Sequence, residues 1–284
     1  MLGTTEETSF QAASALQKYG MEPRAYTDFD EMVSAEKPDA VVIASPSSTH
    51  HEYLLRCVDS GLHTFCEKPF IWGDDVDIPK EVEEIFGKAR KKKVTIAMNS
   101  QWSFSLDDYE ETCGGVHPDE TTEFFMRMSP FSPGRTMIPE SVPHPLSILY
   151  CRLGAGKIQD LSFGSDGKGE MDLRFTYRLK TRACEVVIKL VNQKTPPREL
   201  SFGFNDKIVF RSLDLKDYGI YFNYGGKKIK ITDPLSLSIK NFLEAVQGKT
   251  EPLIGYPHIR HNMFLLKEID DRFGEFEKRK SWKS

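Results

Sequence analysis

Apolar residues recur with two different periods along the first third of the chain. Residues 8–19 place an apolar side chain every three or four positions, which predicts a helix that ends at Gly20. The patterns at 28–38, 50–60 and 79–93 also predict helices. Short apolar runs at 40–44, 62–66 and 94–98 are typical of buried strands, and residues 24–27 suggest an edge strand. Alternating strands and helices of this kind indicate a parallel α/β sheet.

The pattern changes after about residue 101. Residues 103–145 are rich in Ser, Pro, Gly and Met, and their weak periodicity predicts loops around a site rather than a regular layer. Between residues 157 and 232, apolar and polar positions alternate in the segments IQDLSF, MDLRFTYRLK, ACEVVIKLV, ELSFGF, KIVFRSL, GIYFNY and KKIKIT. These segments predict an antiparallel sheet with one face in water, followed by helices at 235–247 and 259–273. We therefore expect one domain over 1–101 and an α+β domain over 102–284.

Composition narrows the possible partners. The 284 residues carry a formal net charge of -4, without the basic surplus that nucleic acids or anionic membranes require. No apolar run approaches the roughly 20 residues that span a bilayer. The five cysteines are widely spaced and form no CxxC pair, and the N-terminus does not resemble a signal peptide. We expect a cytoplasmic protein with a small-molecule ligand.

A lysine follows the strand predicted at 62–66, in the sequence Glu67-Lys68-Pro69. A lysine in this position either points its ammonium group to water or projects into a cleft. In a cleft, burial would lower its pKa, or its charge would orient a substrate oxygen. Cys66 precedes this segment, either as buried packing or as a reactive thiol.

Two pairs of residues have spacings found in metal sites. They are Cys113 with His117, and His258 with His261. Neither pair has further ligands at matching spacing, so no metal site is predicted. We expect His258 and His261 at the start of a helix, beside Arg260 and facing the cleft or solvent.

Four parts of the chain, in order, resemble the Gfo/Idh/MocA family of NAD(P)-dependent oxidoreductases. They are DAVVIASPSSTH at 39–50, GLHTFCEKP at 61–69, VTIAMNSQW at 94–102, and the sheet domain with its closing helices. The resemblance covers nearly the whole chain. It implies a Rossmann-like parallel sheet plus an α+β domain with a predominantly antiparallel open sheet. It also implies NAD or NADP as cofactor, and hydride transfer to or from a sugar, a cyclitol or a derivative.

The resemblance also implies roles for individual residues. Lys68 matches the family's active-site lysine, near the nicotinamide and the substrate hydroxyl, and the bond before Pro69 is often cis in relatives. The positions that match cofactor-binding residues are Pro46, Ser47, His50, Glu67, Asn99 and Gln101. For His50 a capped helix start remains an alternative, and for Glu67 a structural salt bridge.

The segment PHPLS at 143–147 resembles a family segment, GxHxxD, whose histidine donates or accepts a proton during hydride transfer. His144 would take that role, since an imidazole titrates near neutrality. Ser147 stands where the family has an aspartate, which removes a charge that would orient the substrate and the imidazole. A packed histidine without a catalytic role is the alternative.

The sequence departs from the family pattern at its start. The family opens with a strand, a GxGxxG turn and a helix, and the turn's glycines let backbone amides approach the cofactor pyrophosphate. No GxGxxG occurs here. We therefore expect an N-terminally truncated Rossmann-like domain, with Met1 an internal residue of a longer reading frame or the gene a degenerate remnant.

Two hypotheses for the function follow. The first is an NAD(P)-dependent oxidoreductase in which Lys68 and His144 handle the proton. The second is a non-catalytic family member that serves as a binding or scaffold protein. A homo-oligomer formed through the open sheet is expected under both. The sequence does not name the substrate, and it does not distinguish NAD from NADP.

Overall fold

The computed structural model describes residues 1–73, 76–167, 169–214, 216 and 218–281. Backbone contacts divide the chain into two compact units, Met1–Val41 and Val42–Ser284. The domain boundary expected between residues 101 and 102 stays a prediction.

The first unit contains two capped helices, α1 (Glu6–Gln17) and α2 (Phe29–Glu36). Thr5 begins α1: its hydroxyl accepts a hydrogen bond from the amide of Thr8 at 3.2 Å, while the Thr8 hydroxyl accepts one from the Thr5 amide at 3.0 Å. This reciprocal pair places the start of α1 a few residues before the predicted one. Asp28 caps α2 in the same manner, because its carboxylate accepts a bond from the third helical residue.

The edge strand predicted at 24–27 is reduced to one isolated bridge in the described residues. Leu2 and Tyr26 form it in parallel orientation. A single bridge has too few backbone hydrogen bonds to count as a regular strand.

A parallel sheet follows, with strands β1 (Ala40–Ile43), β2 (His63–Glu67) and β3 (Ile96–Asn99) in the order β1-β2-β3. Helix α3 (His50–Asp59) leads from β1 to β2, and α4 (Ile78–Lys92) from β2 to β3. Strand-helix alternation of this kind produces a Rossmann-like layer. The prediction of a parallel sheet is confirmed, and it places the last residues of β2 and β3 at the same edge.

The second sheet has eight strands in the order β11-β10-β9-β8-β4-β7-β6-β5. The pairings between its described strands are antiparallel except that of β4 with β7, so the predominantly antiparallel sheet is confirmed. The strands are β4 (Glu123–Met128), β5 (Lys157–Ser165), β6 (Glu170–Arg178), β7 (Ala183–Val191), β8 (Leu200–Phe204), β9 (Lys207–Leu213), β10 (Ile220–Tyr224) and β11 (Lys227–Ile231).

The prediction of loops over 103–145 is wrong. This region contains α5 (Leu106–Cys113), β4, α6 (Met137–Ser141) and the start of α7 (Pro143–Leu153). Strand β4 is flanked by β7 and β8, which are distant in sequence. Its stability therefore depends on non-local pairing rather than on a strong local pattern.

Two helices close the chain, α8 (Pro234–Val246) and α9 (Tyr256–Ser281). Helix α9 extends beyond the predicted end at residue 273. Its last turns carry ion pairs four residues apart, including Arg272 with Glu268 at 2.7 Å and Arg279 with Glu275 at 3.7 Å. Such pairs stabilise the exposed face of the helix, while Phe273 and Phe276 on its other face contact Phe163. Among the described residues, no helix combines the length and the apolar character needed to cross a bilayer.

Candidate active site

A cavity of about 390 Å³ lies where β2 and β3 end. One side, the strand-end wall, consists of Glu67, Lys68, Asn99, Gln101 and the α7 residue His144. The other group, the sheet wall, belongs to β4, β9 and the segment before β8, and consists of Met128, Arg198, Glu199, Arg211 and Leu213. Ligands of open α/β sheets bind beyond the carboxyl ends of the strands.

Lys68 projects its ammonium group into this part of the protein rather than into bulk water. Its Nζ donates a hydrogen bond to the backbone carbonyl of Glu140 at 2.5 Å. Burial lowers the pKa of Lys68, although the carboxylates of Glu67 and Glu140 act in the opposite direction. The Lys68-Pro69 bond is cis. The local geometry therefore favours the cleft interpretation over the solvent one.

Glu67 and Asn99 are cross-strand neighbours at the ends of β2 and β3. The Asn99 amide nitrogen donates a hydrogen bond to Glu67 Oε1 at 2.6 Å. Asn99 Oδ1 is buried, and it has no hydrogen-bond partner in the described part of the chain. A buried acceptor without a partner is unfavourable, so this atom suits a donor supplied by a ligand.

His144 is 7% exposed and lines the same cavity. Its Nδ1 lies 3.1 Å from the hydroxyl oxygen of Ser100. Burial lowers the pKa of His144 well below 6.5, and the positive charge of Lys68 lowers it further. The imidazole is therefore neutral at pH 7 and has one ring nitrogen able to accept a proton.

The start of α7 is fixed by a polar contact with α9. The Asn262 amide nitrogen donates to the carbonyl of Pro143 and to the hydroxyl of Ser147, both at 2.8 Å. Ser147 is fully buried and does not line the cavity. In this protein the residue at the family's aspartate position therefore holds the helix that carries His144.

The structure brings together five of the predicted residues, namely the whole strand-end wall. Pro46, Ser47 and His50 do not line this cavity. The ring of His50 is buried, with Nδ1 2.8 Å from the Pro69 carbonyl and Nε2 2.9 Å from the Ser45 carbonyl. His50 thus ties the turn after β1 to the end of β2. Its predicted contact with a cofactor stays a prediction.

Several residues near the cavity were missed from sequence, including Ser100, Glu140 and Arg198. Arg211 was missed as well, because the adjacent apolar residues Val209 and Phe210 do not show in the sequence which face of β9 is buried. In β9, Val209 is buried and Phe210 is 58% exposed. Because strand residues two apart share a face, Arg211 belongs to the buried side with Val209.

Most of the other candidate groups are packed side chains, although His117 is exposed. Cys66 is fully buried, and burial raises the pKa of its thiol well above 9, so the thiol stays protonated. His258 lies near the start of α9 as predicted, but the expectation that it faces solvent is wrong, because it is 2% exposed. Its ring centroid lies 4.5 Å from that of Tyr150. Among the described residues, no group of three or more His, Cys, Asp or Glu could hold a metal ion.

A second space, of about 750 Å³, includes His258 and Tyr150 in its lining. It is larger than the cavity at Lys68. Catalytic sites often contain several titratable groups whose pKa values are shifted by their surroundings. Among the described cavities, Lys68 and His144 both line only the smaller one. We therefore take the smaller cavity as the candidate site.

Residues 3–100 match the model of an oxidoreductase family with an NAD-binding Rossmann fold. This segment is similar to proteins of the Gfo/Idh/MocA family. The matched residues include Glu67, Lys68 and Asn99 of the strand-end wall. The family is one of NAD(P)-dependent oxidoreductases.

Curated relatives of this family match the same part of the chain. D-glucoside 3-dehydrogenase of Escherichia coli (strain K12) is 33% identical over 109 residues, which are 37% of this chain and 29% of that protein. The scyllo-inositol 2-dehydrogenase (NADP+) of Bacillus subtilis (strain 168) is 32% identical over 101 residues, 36% of this chain and 29% of that protein. The matches thus span less than a third of these relatives.

Solved structures of Gfo/Idh/MocA-like fold extend the likeness over more of the chain. UDP-N-acetylglucosamine 3-dehydrogenase from Acidithiobacillus ferrooxidans has a TM-score of 0.68 at 17% sequence identity. The match covers 94% of this chain and 87% of that one. At this identity the similarity establishes the fold alone.

Proposed function

We propose that the protein is an NAD(P)-dependent oxidoreductase acting on a hydroxyl group of a sugar, a cyclitol or a derivative. The observation that carries the proposal is the convergence of Lys68 and neutral His144 on one cavity, in a chain whose residues 3–100 match a family with an NAD-binding Rossmann fold. The named dehydrogenases of glucosides and inositols support this substrate class.

The strand-end wall suits the nicotinamide end of the cofactor. Asn99 Oδ1 is a buried acceptor that lacks a donor, and Glu67 supplies a carboxylate beside it. These two residues would hold the nicotinamide and its ribose. The sequence contains no GxGxxG turn for the pyrophosphate. When bound, the nicotinamide accepts or supplies the hydride.

Lys68 and His144 divide the remaining work in this proposal. In the oxidative direction the hydroxyl loses its proton to the neutral imidazole of His144, while the carbon-bound hydrogen leaves as hydride with its electron pair. The Lys68 ammonium group holds the oxygen and stabilises the negative charge that develops on it. In the reductive direction His144 returns the proton to that oxygen.

The direct test is transfer of deuterium from nicotinamide-deuterated NADH or NADPH to a panel of oxidised sugars and inososes, followed by mass spectrometry. We expect label in at least one product, and at least a 100-fold lower transfer rate in Lys68→Met. Lys240→Met is a matched control, because Lys240 lies on α8 with an exposed side chain and does not line the cavity. Absence of label with every substrate, or equal rates for both variants and the parent, would contradict the proposal.

A second candidate function is a non-catalytic sugar-binding protein. It is favoured by serine at position 147, where the family segment has an aspartate. Calorimetry separates the two candidates. Binding of a sugar or cyclitol without measurable binding of either dinucleotide, and without label transfer, would favour the second function over the first.

A further inference from the structure

Arg211 occupies an unusual position for an arginine. It lies on β9 between Phe210, which is exposed, and Ser212, and it shares the covered face of the strand with Val209. It also lines the candidate site. A position on this face ordinarily carries an apolar side chain, so a charge here needs a physical reason.

The Arg211 guanidinium has few hydrogen-bond partners and no carboxylate partner among the described residues. Its Nη2 donates to the carbonyl of Arg198, and its Cζ lies 5.6 Å from the centroid of the Trp102 ring. Its Nε is buried without a hydrogen-bond partner. None of the ion pairs within 4.0 Å in the described residues includes Arg211. Burial and the neighbouring positive charge of Arg198 both lower its pKa.

The carboxylates of the sheet wall and its surroundings are already engaged elsewhere. The Glu140 carboxylate accepts from the amides of Phe131 at 2.6 Å and Ser132 at 3.1 Å. Glu199 pairs with Arg127 at 2.9 Å. Arg211 is partly buried, and a buried Nε without an acceptor is unfavourable, so the missing partner of the guanidinium is best supplied by whatever fills the cavity.

We propose that the molecule bound in this cavity carries a carboxylate or phosphate group, and that Arg211 pairs with it. The proposal deepens the proposed function, on which it rests for the identity of the cavity as the substrate site. The planar guanidinium presents donors that match two oxygens of a carboxylate or phosphate. The substrate class is therefore an acidic or phosphorylated sugar or cyclitol, and Arg211 sets the preference for it.

The test is calorimetric binding of D-glucuronate, D-glucose 6-phosphate and D-glucose to the full chain without dinucleotide. We expect at least one anionic probe to bind tenfold or more tightly than D-glucose, and the two anionic probes separate carboxylate from phosphate recognition. Arg211→Gln should abolish the preference. Arg211→Lys keeps the positive charge but not the planar guanidinium, and it should retain part of the preference for the anionic probe. The matched control is Arg178→Gln, an exposed β6 position bonded to Gln159 and outside the cavity lining.

Equal affinity for the three probes, binding of none of them, or an unchanged preference in Arg211→Gln would overturn the proposal. ADP-ribose provides a further arm. If Arg211→Gln weakens ADP-ribose binding while leaving the acidic sugar unaffected, the residue serves the dinucleotide and the proposal fails. Because binding is measured without cofactor, the result is independent of deuterium transfer, whose failure concerns the proposed function alone.

Discussion

The two walls of the cavity differ in how the chain encodes them. The strand-end wall draws Glu67 and Lys68 from one strand end, and Asn99 and Gln101 from the next, so all its residues except His144 lie in two short segments of the sequence. The sheet wall draws residues from strands that are neighbours only through pairing. A local motif thus reveals the first wall and conceals the second.

The walls also differ in their charges. Lys68 and His144 have pKa values lowered by burial, which places protonation changes on the strand-end wall. The sheet wall contributes arginines, whose charge does not change near neutrality. We therefore expect substitutions in the strand-end wall to lower turnover, and substitutions in the sheet wall to weaken binding.

The largest expected effect is that of Lys68→Met. Methionine retains much of the stem but removes the charge that stabilises the substrate oxygen, so kcat should fall about 1,000-fold. Single-turnover kinetics measures the loss, and calorimetry with the substrate should show a far smaller change in affinity. If the substrate affinity of Lys68→Met falls as much as its turnover, the strand-end wall does not differ from the sheet wall in the step that it controls.

His144→Asn should lower kcat about 100-fold, because asparagine cannot accept the substrate proton. His258→Phe is the matched control: His258 is equally buried, but it belongs to the other described cavity. Its turnover should stay within a few fold of the parent. If both variants lose turnover equally, the effect of His144→Asn reflects packing rather than proton transfer.

The pH dependence of stability tests whether His258 is buried as a neutral imidazole. Burial lowers the pKa of His258 to about 3, whereas an unfolded histidine titrates near 6.5. Below pH 6.5 the unfolded state binds a proton that the folded state does not, so the free energy of unfolding falls by about 1.4 kcal/mol per pH unit until the folded pKa is reached. Between pH 7 and pH 5, the loss measured by urea unfolding should be about 2 kcal/mol smaller in His258→Phe than in the parent. An equal loss in both proteins would contradict the assignment of a buried neutral imidazole.

The smallest effect is expected for Arg198→Gln in the sheet wall. Arg198 Nη1 lies 3.7 Å from Glu140 Oε1, and 47% of the arginine side chain is exposed. Exposed pairs contribute at most about 1 kcal/mol, so the dissociation constant of an acidic probe should rise about fivefold or less. Arg211→Gln, at a more buried position, should exceed it in the same calorimetric assay. The reverse order would assign anion recognition to Arg198.

Local pattern was sufficient for much of the first hundred residues and for the later hairpin strands. Apolar runs, helix caps and the Glu67-Lys68-Pro69 segment can each be recognised from a few consecutive residues. The alternation of strands and helices predicts parallel strands, so the ends of β2 and β3 are expected at the same edge of the sheet. The loops predicted over 103–145 failed because β4 is defined by its neighbours β7 and β8 rather than by its own pattern.

The amino-acid pattern was sufficient to predict the succession of strands and helices around Lys68, and five residues that the structure gathers in one cavity. Tertiary structure alone decided that Ser147 supports α7 through Asn262, that Pro46, Ser47 and His50 lie outside this cavity, and that Arg211 lines it. The two sets of features differ in how far apart in the sequence the interacting residues lie. Hydrophobic period and capping are local properties, whereas the register of distant strands and the burial of a charge depend on contacts that form only in the folded chain.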